Sequence, residues 1–395
     1  MRGAFSIALL LSMSGLVQPG YAQGAFLPWG QHSDMVAWEG FAQITAPAGN
    51  PKAKKVEFET WASDEDIYVK SPAQWPSVDT PKVLQPSALA RASMRSDAVV
   101  RPFAFTTDCT KPQGLPPGTA AAGSTFPPGG CIGEEVRRNW ASFQYIVFNG
   151  LDSRAGLGKA FASGLKVDLP ADAIEFKGDW ASVADVSKWL GVDAGVIRGH
   201  YYTSSTIITG VATEIALLSF HISSKQVKNW VWSDFEGAMN PGRCDFIGCR
   251  DSFGAANASV TPNPDPNRPY GDCPKTPALK SMLESAGTDA VWQNYCLKGT
   301  QVTFLDENGK PTLLGNSVIE PLNANVPILK SSCITCHGYA SFGENGKINF
   351  FALLDNANSP TGNIDPSHMI DPANKKNFTS NDFMWGISLF NLKAQ

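Results

Sequence analysis

Several stretches of the chain repeat apolar residues every three or four positions, which is the period of an amphipathic helix. In the first of them, Met35, Trp38 and Phe41 follow one another at three-residue spacing after the helix-start residues Ser33 and Asp34. The helices predicted in this way cover residues 33–44, 132–147, 277–286 and 381–392. A further helix is predicted over residues 326–340, near the end of the chain.

Other stretches are rich in β-branched and aromatic residues or alternate apolar with polar positions, which predicts strands. They cover residues 56–61, 174–177, 201–208, 213–222 and 229–232. Gly210 separates two of these stretches, which favours an antiparallel pair, and Asn308-Gly309 is a hairpin-turn signal. The predicted fold class is therefore α+β, a β-rich mixed domain with short helices and a C-terminal helical segment.

The first residues have the pattern of a secretory signal peptide. Arg2 precedes an apolar run over residues 4–16, and a small-residue cleavage site follows, with the cut expected after Ala22. This run is too short to span a bilayer, and no later stretch has the length and apolarity of a membrane helix. The mature chain is therefore predicted to be exported, with no membrane span.

Composition limits the class of partner. The chain has 395 residues, with 32 basic and 36 acidic side chains and a formal net charge of −4. This balance gives no reason to expect binding to nucleic acid or to an anionic membrane surface. Hydrophobic residues make up 43% of the chain and include 11 Trp and 22 Phe, which is enough for one large or two moderate domains.

The run Cys333-Ile334-Thr335-Cys336-His337 carries the strongest chemical signal in the sequence. Two cysteines three residues apart, followed at once by a histidine, are the pattern of covalent c-type haem attachment. Each thiol can form a thioether with one haem vinyl group, and His337 then becomes the proximal ligand of the iron. The sequence therefore predicts one covalent haem c, which in turn favours a bacterial periplasm as the compartment.

Two other uses of this motif fit the sequence less well. A zinc site would need a second pair of Cys or His ligands nearby, but only His368 follows the motif and no further cysteine does. A thioredoxin-like dithiol would follow the first strand of a βαβ unit, which a C-terminal position does not offer. Haem attachment is the reading that the motif favours.

The remaining cysteines are even in number, as expected for disulfides in an exported chain. Fifteen pairings of six cysteines are possible, and proximity in sequence favours one of them. The predicted disulfides are Cys109–Cys131, Cys244–Cys249 and Cys273–Cys296. A metal cluster is the alternative, but it lacks interleaved histidines.

These observations divide the chain into three parts. They are a signal peptide at 1–22, a β-rich α+β domain at 23–324 and a haem segment at 325–395. Small cytochromes need roughly 80 or more residues around the haem, and the last part has only about 70. The haem segment is therefore expected to pack on the larger domain.

Aromatic and acidic landmarks across most of the mature chain resemble those of a family of exported bacterial cytochrome c-like proteins. The matching segments are 38–41, 58–61, 174–180, 218–222, 229–236, 333–337 and 382–385. The resemblance implies an architecture and a single covalent haem, and it does not imply a reaction. Related sequences often continue the segment at 229–236 with a histidine where this chain has Gly237, so a distal histidine is not expected at that position.

The sixth iron ligand decides between an electron carrier and a catalyst, because a Met or His ligand closes the iron to substrate. Met369 lies in a Pro-containing loop after the motif and is the candidate distal ligand, with the adjacent His368 as a competitor. His221 is a candidate haem contact, although a core histidine is its alternative role. Arg243 is a candidate partner of a haem propionate, with a solvated surface arginine as the alternative.

Two functions follow from these candidates. The first is a periplasmic monohaem cytochrome that transfers electrons between redox partner proteins, which the placement of Met369 favours. The second is a haem enzyme of the peroxidase or oxygenase type, with an open iron and a small-molecule substrate under the larger domain. The size of that domain favours the enzyme.

Overall fold

The structure is a computed structural model that describes residues 29–49, 55–77, 132–208, 211–262, 270–320, 326–351 and 360–389. The predicted signal peptide and the predicted Cys109–Cys131 disulfide lie outside the described residues. The predicted boundary between 324 and 325 also lies outside them, so the division into domains stays a prediction.

An antiparallel sheet organises the described residues. The strands of this sheet are β1 (Ala62–Ser63), β2 (Ile132–Arg138), β3 (Ile174–Ser182), β4 (Thr203–Ile208), β5 (Val211–Ser224), β6 (Val231–Gly237) and β9 (Tyr295–Gln301). Their hydrogen-bonded order is β1-β2-β3-β5-β6-β9, and β4 pairs with the first six residues of β5. Two small ribbons pair β7 (Cys249–Arg250) with β8 (Ser259–Val260), and β10 (Ser341–Phe342) with β11 (Thr379–Ser380).

Helices flank the sheet and connect its strands. The α-helices of the described residues are Trp29–Thr45, Asp64–Tyr68, Trp140–Phe148, Arg154–Ser163, Val183–Leu190, Ala194–His200, Pro277–Ser285, Cys333–Gly338 and Trp385–Leu389. Together with the antiparallel sheet they confirm the predicted α+β fold class. None of the helices described is both long and apolar enough to cross a membrane.

The two faces of the sheet differ in chemistry, because successive side chains of a strand point to opposite sides. One face carries Phe176, Phe220 and Phe235, which pack with Trp38 and Trp292 in an aromatic core. The opposite face carries polar residues from the central strands. There Lys177 of β3 and Asp234 of β6 are both register partners of His221 in β5.

The described part of the predicted haem segment packs against earlier parts of the chain. Ile334 and Met384 belong to one buried cluster with Phe143 and Leu157, which come from the earlier helices. Trp232, on the polar face of the sheet, belongs to the same cluster. The short helix of the haem motif is therefore held between the sheet and the chain terminus.

One predicted helix is wrong in its first half. Residues 132–138 form β2, and the helix begins only at Trp140, after Asn139 whose side chain accepts a hydrogen bond from the Ser142 N–H. Charges on β2 explain the difference, since Glu134 pairs with Lys177 on the neighbouring strand. The apolar spacing that predicted the helix holds from Trp140 onward but not before it.

Three further segments differ from prediction. The predicted strand at 56–61 is a 3-10 turn, Glu57–Thr60, because the buried Glu59 accepts hydrogen bonds from Tyr202 and Ser204. The predicted helix at 326–340 is reduced to Cys333–Gly338 after a 3-10 turn, Ile328–Lys330. The closing helix begins at Trp385 and not at 381, since Asp382 and Phe383 have positive φ, and residues 390–392 lie outside the described part.

Other expectations are confirmed. The helix predicted at 33–44 spans Trp29–Thr45, and the helix predicted at 277–286 spans Pro277–Ser285. The strands predicted around Gly210 pair as β4 and β5 in antiparallel register. The disulfides Cys244–Cys249 and Cys273–Cys296 are both present.

Candidate haem-attachment site

The helix Cys333–Gly338 presents the motif on one face. Residues three and four apart are neighbours on a helix, so Cys333 lies beside both Cys336 and His337. These three side chains are partly exposed, whereas Ile334 and Thr335 between them are fully buried. Both cysteines are free thiols. The cysteines and the histidine therefore share the less buried face of the helix, and Ile334 and Thr335 anchor its other face.

Buried polar contacts fix this helix in place. The Gln301 side chain, at the end of β9, accepts the Ile334 N–H at 3.0 Å and donates to the Ser332 hydroxyl at 2.8 Å. The Thr335 hydroxyl donates to the Gly362 carbonyl at 2.7 Å. The position of the motif is thus set by the sheet on one side and by the C-terminal loop on the other.

His337 is oriented by its Nδ1 atom, which lies 2.8 Å from the Phe383 carbonyl oxygen. A carbonyl can only accept, so Nδ1 carries the proton and Nε2 has the lone pair that a metal requires. The Trp232 ring packs against the imidazole with 4.5 Å between the ring centres. Burial lowers the pKa of His337 to about 3, so the imidazole is neutral at physiological pH.

The two thiols are in surroundings that keep them protonated. Burial raises the pKa of Cys336 to about 11 and the pKa of Cys333 well above its usual value. The Trp385 indole N–H donates to the Cys336 carbonyl at 3.2 Å and so ties the second cysteine to the terminal helix. Two free thiols and a neutral, oriented imidazole on one helix face fit the attachment of one haem c.

His221 lies beside the motif, on the polar face of the sheet. Ligand atoms of His221, Glu320 and Cys333 all lie within 4.8 Å of one another. His221 Nε2 is 3.6 Å from an oxygen of Asp234 and 3.6 Å from an oxygen of Glu320. Asn316 donates to Asp234 at 2.8 Å and closes this cluster.

The charge of His221 depends on two opposing effects. Burial lowers its pKa, but the carboxylates of Asp234 and Glu320 outweigh burial and raise the pKa overall. Burial also raises the pKa of Glu320. The cluster therefore places a histidine with a raised pKa beside Cys333. Its donors could also hold a metal ion, but a thioether at Cys333 would remove the thiolate from that set.

Met369 and His368 lie in the 3-10 turn Pro366–Met369. Met369 packs against the cluster around Tyr339 and Trp385, as Cys336 also does, and its sulfur lies 3.6 Å from the Asn349 amide nitrogen. The His368 ring instead stacks on Phe351, with 3.6 Å between ring centres. The structure thus brings Met369 and Cys336 together in one cluster.

Arg243 makes its described contacts elsewhere. Its guanidinium lies beside both sulfurs of the Cys244–Cys249 disulfide and donates to the Gly271 carbonyl at 3.0 Å. The side chain is buried, not a solvated surface arginine. Its pairing with a haem propionate stays a prediction without a supporting contact.

Several residues of the site were not predicted. The sequence marks Trp232 and Trp385 only as aromatic landmarks, but Trp232 contacts His337 and Trp385 contacts Cys336. The Phe383 carbonyl and the Gln301 side chain had no recognisable signal in the sequence. At Gly237 a Cβ atom would lie 2.4 Å from the ring of Tyr201, which is fully buried, so this position has no space for a larger side chain.

Comparisons with protein-family models, with curated proteins and with solved structures found no match to this chain. The resemblance to exported cytochrome c-like proteins therefore stays a prediction. The assignment of the site depends on the motif, its geometry and the protonation of His337.

Proposed function

We propose that this protein is a periplasmic monohaem c-type cytochrome that transfers single electrons. The observation that carries the proposal is the hydrogen bond between His337 Nδ1 and the Phe383 carbonyl. It fixes the tautomer and the direction of the imidazole, and it leaves Nε2 as the donor atom toward iron. Cys333 and Cys336 lie on the same helix face and are free to form the two thioethers.

Met369 is the proposed sixth ligand. A haem c bound here supplies a one-electron couple at its iron, and a thioether ligand closes that iron to other molecules. Met369 packs with Cys336 against a common cluster, which supports its role, whereas His368 is held by stacking on Phe351. The partners are then other periplasmic redox proteins.

Export is supported by two independent features. The disulfides Cys244–Cys249 and Cys273–Cys296 are compatible with an oxidising compartment outside the cytosol. The first 22 residues have the order of a signal peptide, and c-type haem is attached after export in bacteria that have a periplasm. Both features agree with the compartment in which free Cys333 and Cys336 would meet haem.

A second candidate function is a haem enzyme. One observation favours it, namely the cluster of His221, Asp234 and Glu320 beside Cys333. An imidazole held between two carboxylates can accept and return a proton, as the acid–base step of a peroxidase-type reaction requires. In the electron carrier the same cluster is only a buried ion network.

Visible spectra distinguish the two candidates. The full chain is produced with c-type haem maturation, and spectra are recorded oxidised and reduced, with and without carbon monoxide. The carrier predicts a low-spin spectrum with a sulfur-to-iron charge-transfer band and no change on adding carbon monoxide. A high-spin iron that binds carbon monoxide would contradict the carrier and favour the enzyme.

Substitutions test which residue is the sixth ligand of the iron. Met369→Ala is expected to remove the charge-transfer band and to allow carbon monoxide to bind, whereas Met282→Ala is the matched control. Met282 packs against the aromatic core on the far face of the sheet, so its loss should leave the spectrum unchanged. If Met369→Ala keeps the wild-type spectrum, Met369 is not the ligand. A peroxide reaction that is lost in His221→Gln would support the second candidate.

A further inference from the structure

The backbone that supplies the Phe383 carbonyl is in an unusual conformation. Asp382 has φ of 53° and Phe383 has φ of 67°, both in the left-handed region. A non-glycine residue rarely adopts this region, least of all a bulky one. Such strain persists only where surrounding contacts enforce it, and it collects at functional sites.

Polar contacts of the Asp382 side chain hold this backbone in place. One carboxylate oxygen accepts Lys225 Nζ at 2.5 Å and lies 3.4 Å from the Trp230 indole nitrogen. The other oxygen accepts the Leu169 backbone N–H at 2.7 Å. Lys225 follows the end of β5, and the side chains of Lys225 and Asp382 are 9% and 7% exposed. A buried ion pair therefore ties residue 382 to the sheet.

Asp382, held by this ion pair, lies one residue before Phe383, whose carbonyl bonds His337. Trp230, which contacts Asp382, is itself at positive φ and lies two residues before Trp232, whose ring packs on the imidazole. A shift of Asp382 away from Lys225 would let the strained backbone relax. The Phe383 oxygen would then leave its position 2.8 Å from Nδ1.

We propose that Asp382, held by Lys225, is a positioning residue for the proximal histidine. It keeps the Phe383 carbonyl on Nδ1 and thereby sets how strongly His337 donates electron density toward iron. A hydrogen bond at Nδ1 makes the imidazole a better donor, which favours oxidised iron. The inference rests on the proposed function, since it concerns the reduction potential of the haem carried at Cys333 and Cys336.

The test uses the full chain with its haem. Asp382→Ala is compared with Asp168→Ala, because Asp168 also pairs with Lys225, at 3.0 Å, but has an 80% exposed side chain. The midpoint reduction potential is measured by spectroelectrochemistry. Exchange of the His337 Nδ1 proton with solvent is followed by proton NMR of the reduced protein. Asp382→Ala is expected to raise the potential and to speed the exchange, and Asp168→Ala to change neither.

Lys225→Gln provides a second variant if Asp382→Ala does not fold. This variant removes the cation but keeps the hydrogen bond from the Leu169 N–H to the Asp382 carboxylate. A smaller rise in the reduction potential is therefore expected. A wild-type potential and exchange rate in a haem-loaded variant of either residue would overturn the inference. A wild-type chain without covalent haem would instead overturn the proposed function, so the two failures are distinguishable.

Discussion

Arg138 joins the sheet to the chain terminus and offers a sharp test of how the haem segment is held. Its guanidinium is 1% exposed and bonds Asp64, while its second amino group lies 2.7 Å from Glu175. Its Nε donates to the Met384 sulfur at 2.9 Å. Arg138→Met introduces an apolar side chain of similar length and removes the cation that pairs with Asp64 and Glu175.

The expected loss follows from those two carboxylates. Removing one partner of a buried ion pair costs about 3–5 kcal/mol, since the remaining charge stays uncompensated. Protonating Glu175 at pH 7 instead, from an ordinary pKa of about 4.3, would cost at most roughly 3.7 kcal/mol at about 1.36 kcal/mol per unit, because burial already raises its pKa in the folded protein. Asp64 loses the same cation, so the total loss stays in the range for a broken buried pair. Arg138→Met should therefore lower the free energy of unfolding by about 3–5 kcal/mol.

Urea unfolding at pH 7, followed by far-UV circular dichroism, measures this loss. The double variant Arg138→Met with Glu175→Gln removes one stranded carboxylate and should recover part of the stability. The control is Arg198→Met, which breaks the exposed pair with Glu214 and should cost less than about 1 kcal/mol. A loss for Arg138→Met no larger than for Arg198→Met would refute the reasoning, as would a double variant less stable than the single one.

Two further variants test the packing and the charges away from the haem motif. Gly237→Ala should lower the free energy of unfolding by about 1–3 kcal/mol, because the added Cβ would meet the buried Tyr201 ring. Gly199→Ala is the control and should not lower it, because the added Cβ would have no atom within 4 Å. Equal urea midpoints for these two variants would contradict the account of Gly237. Burial lowers the pKa of Lys275 to about 7, below the value of about 10.4 in the unfolded chain. Between these two pH values the unfolded chain therefore binds a proton at Lys275 that the folded chain does not bind. The free energy of unfolding should thus rise with pH over this range, by up to about 1.4 kcal/mol per pH unit. Lys275→Met should remove that rise. Parallel pH profiles of stability for the wild-type protein and Lys275→Met would refute this prediction.

Local features of the fold could be predicted from sequence. The helix around Trp38 follows from its apolar spacing, and the disulfide Cys244–Cys249 follows from proximity along the chain. The predicted haem motif is local too, since five consecutive residues contain both thiols and the imidazole. Each of these depends on neighbours in sequence, which is the information that a single chain provides.

Features that depend on distant contacts could not be predicted. Residues 132–138 became a strand because Lys177 and Glu175 on β3 pair with their charges. The polar surroundings of His221 exist only because the register aligns it with Lys177 and Asp234. The carbonyl that orients His337 lies 46 residues beyond it, in a backbone conformation that no residue type at 383 signals.

Covalent attachment of haem at Cys333 and Cys336 is the central claim, and the intact mass of the denatured protein tests it most directly. The chain is produced in a bacterium with c-type haem maturation, and the double variant Cys333→Ser with Cys336→Ser is purified alongside it. The wild-type chain should exceed the mass of its mature sequence by one haem, and the double variant should match its own sequence mass. A wild-type mass equal to that of the sequence alone would contradict the account.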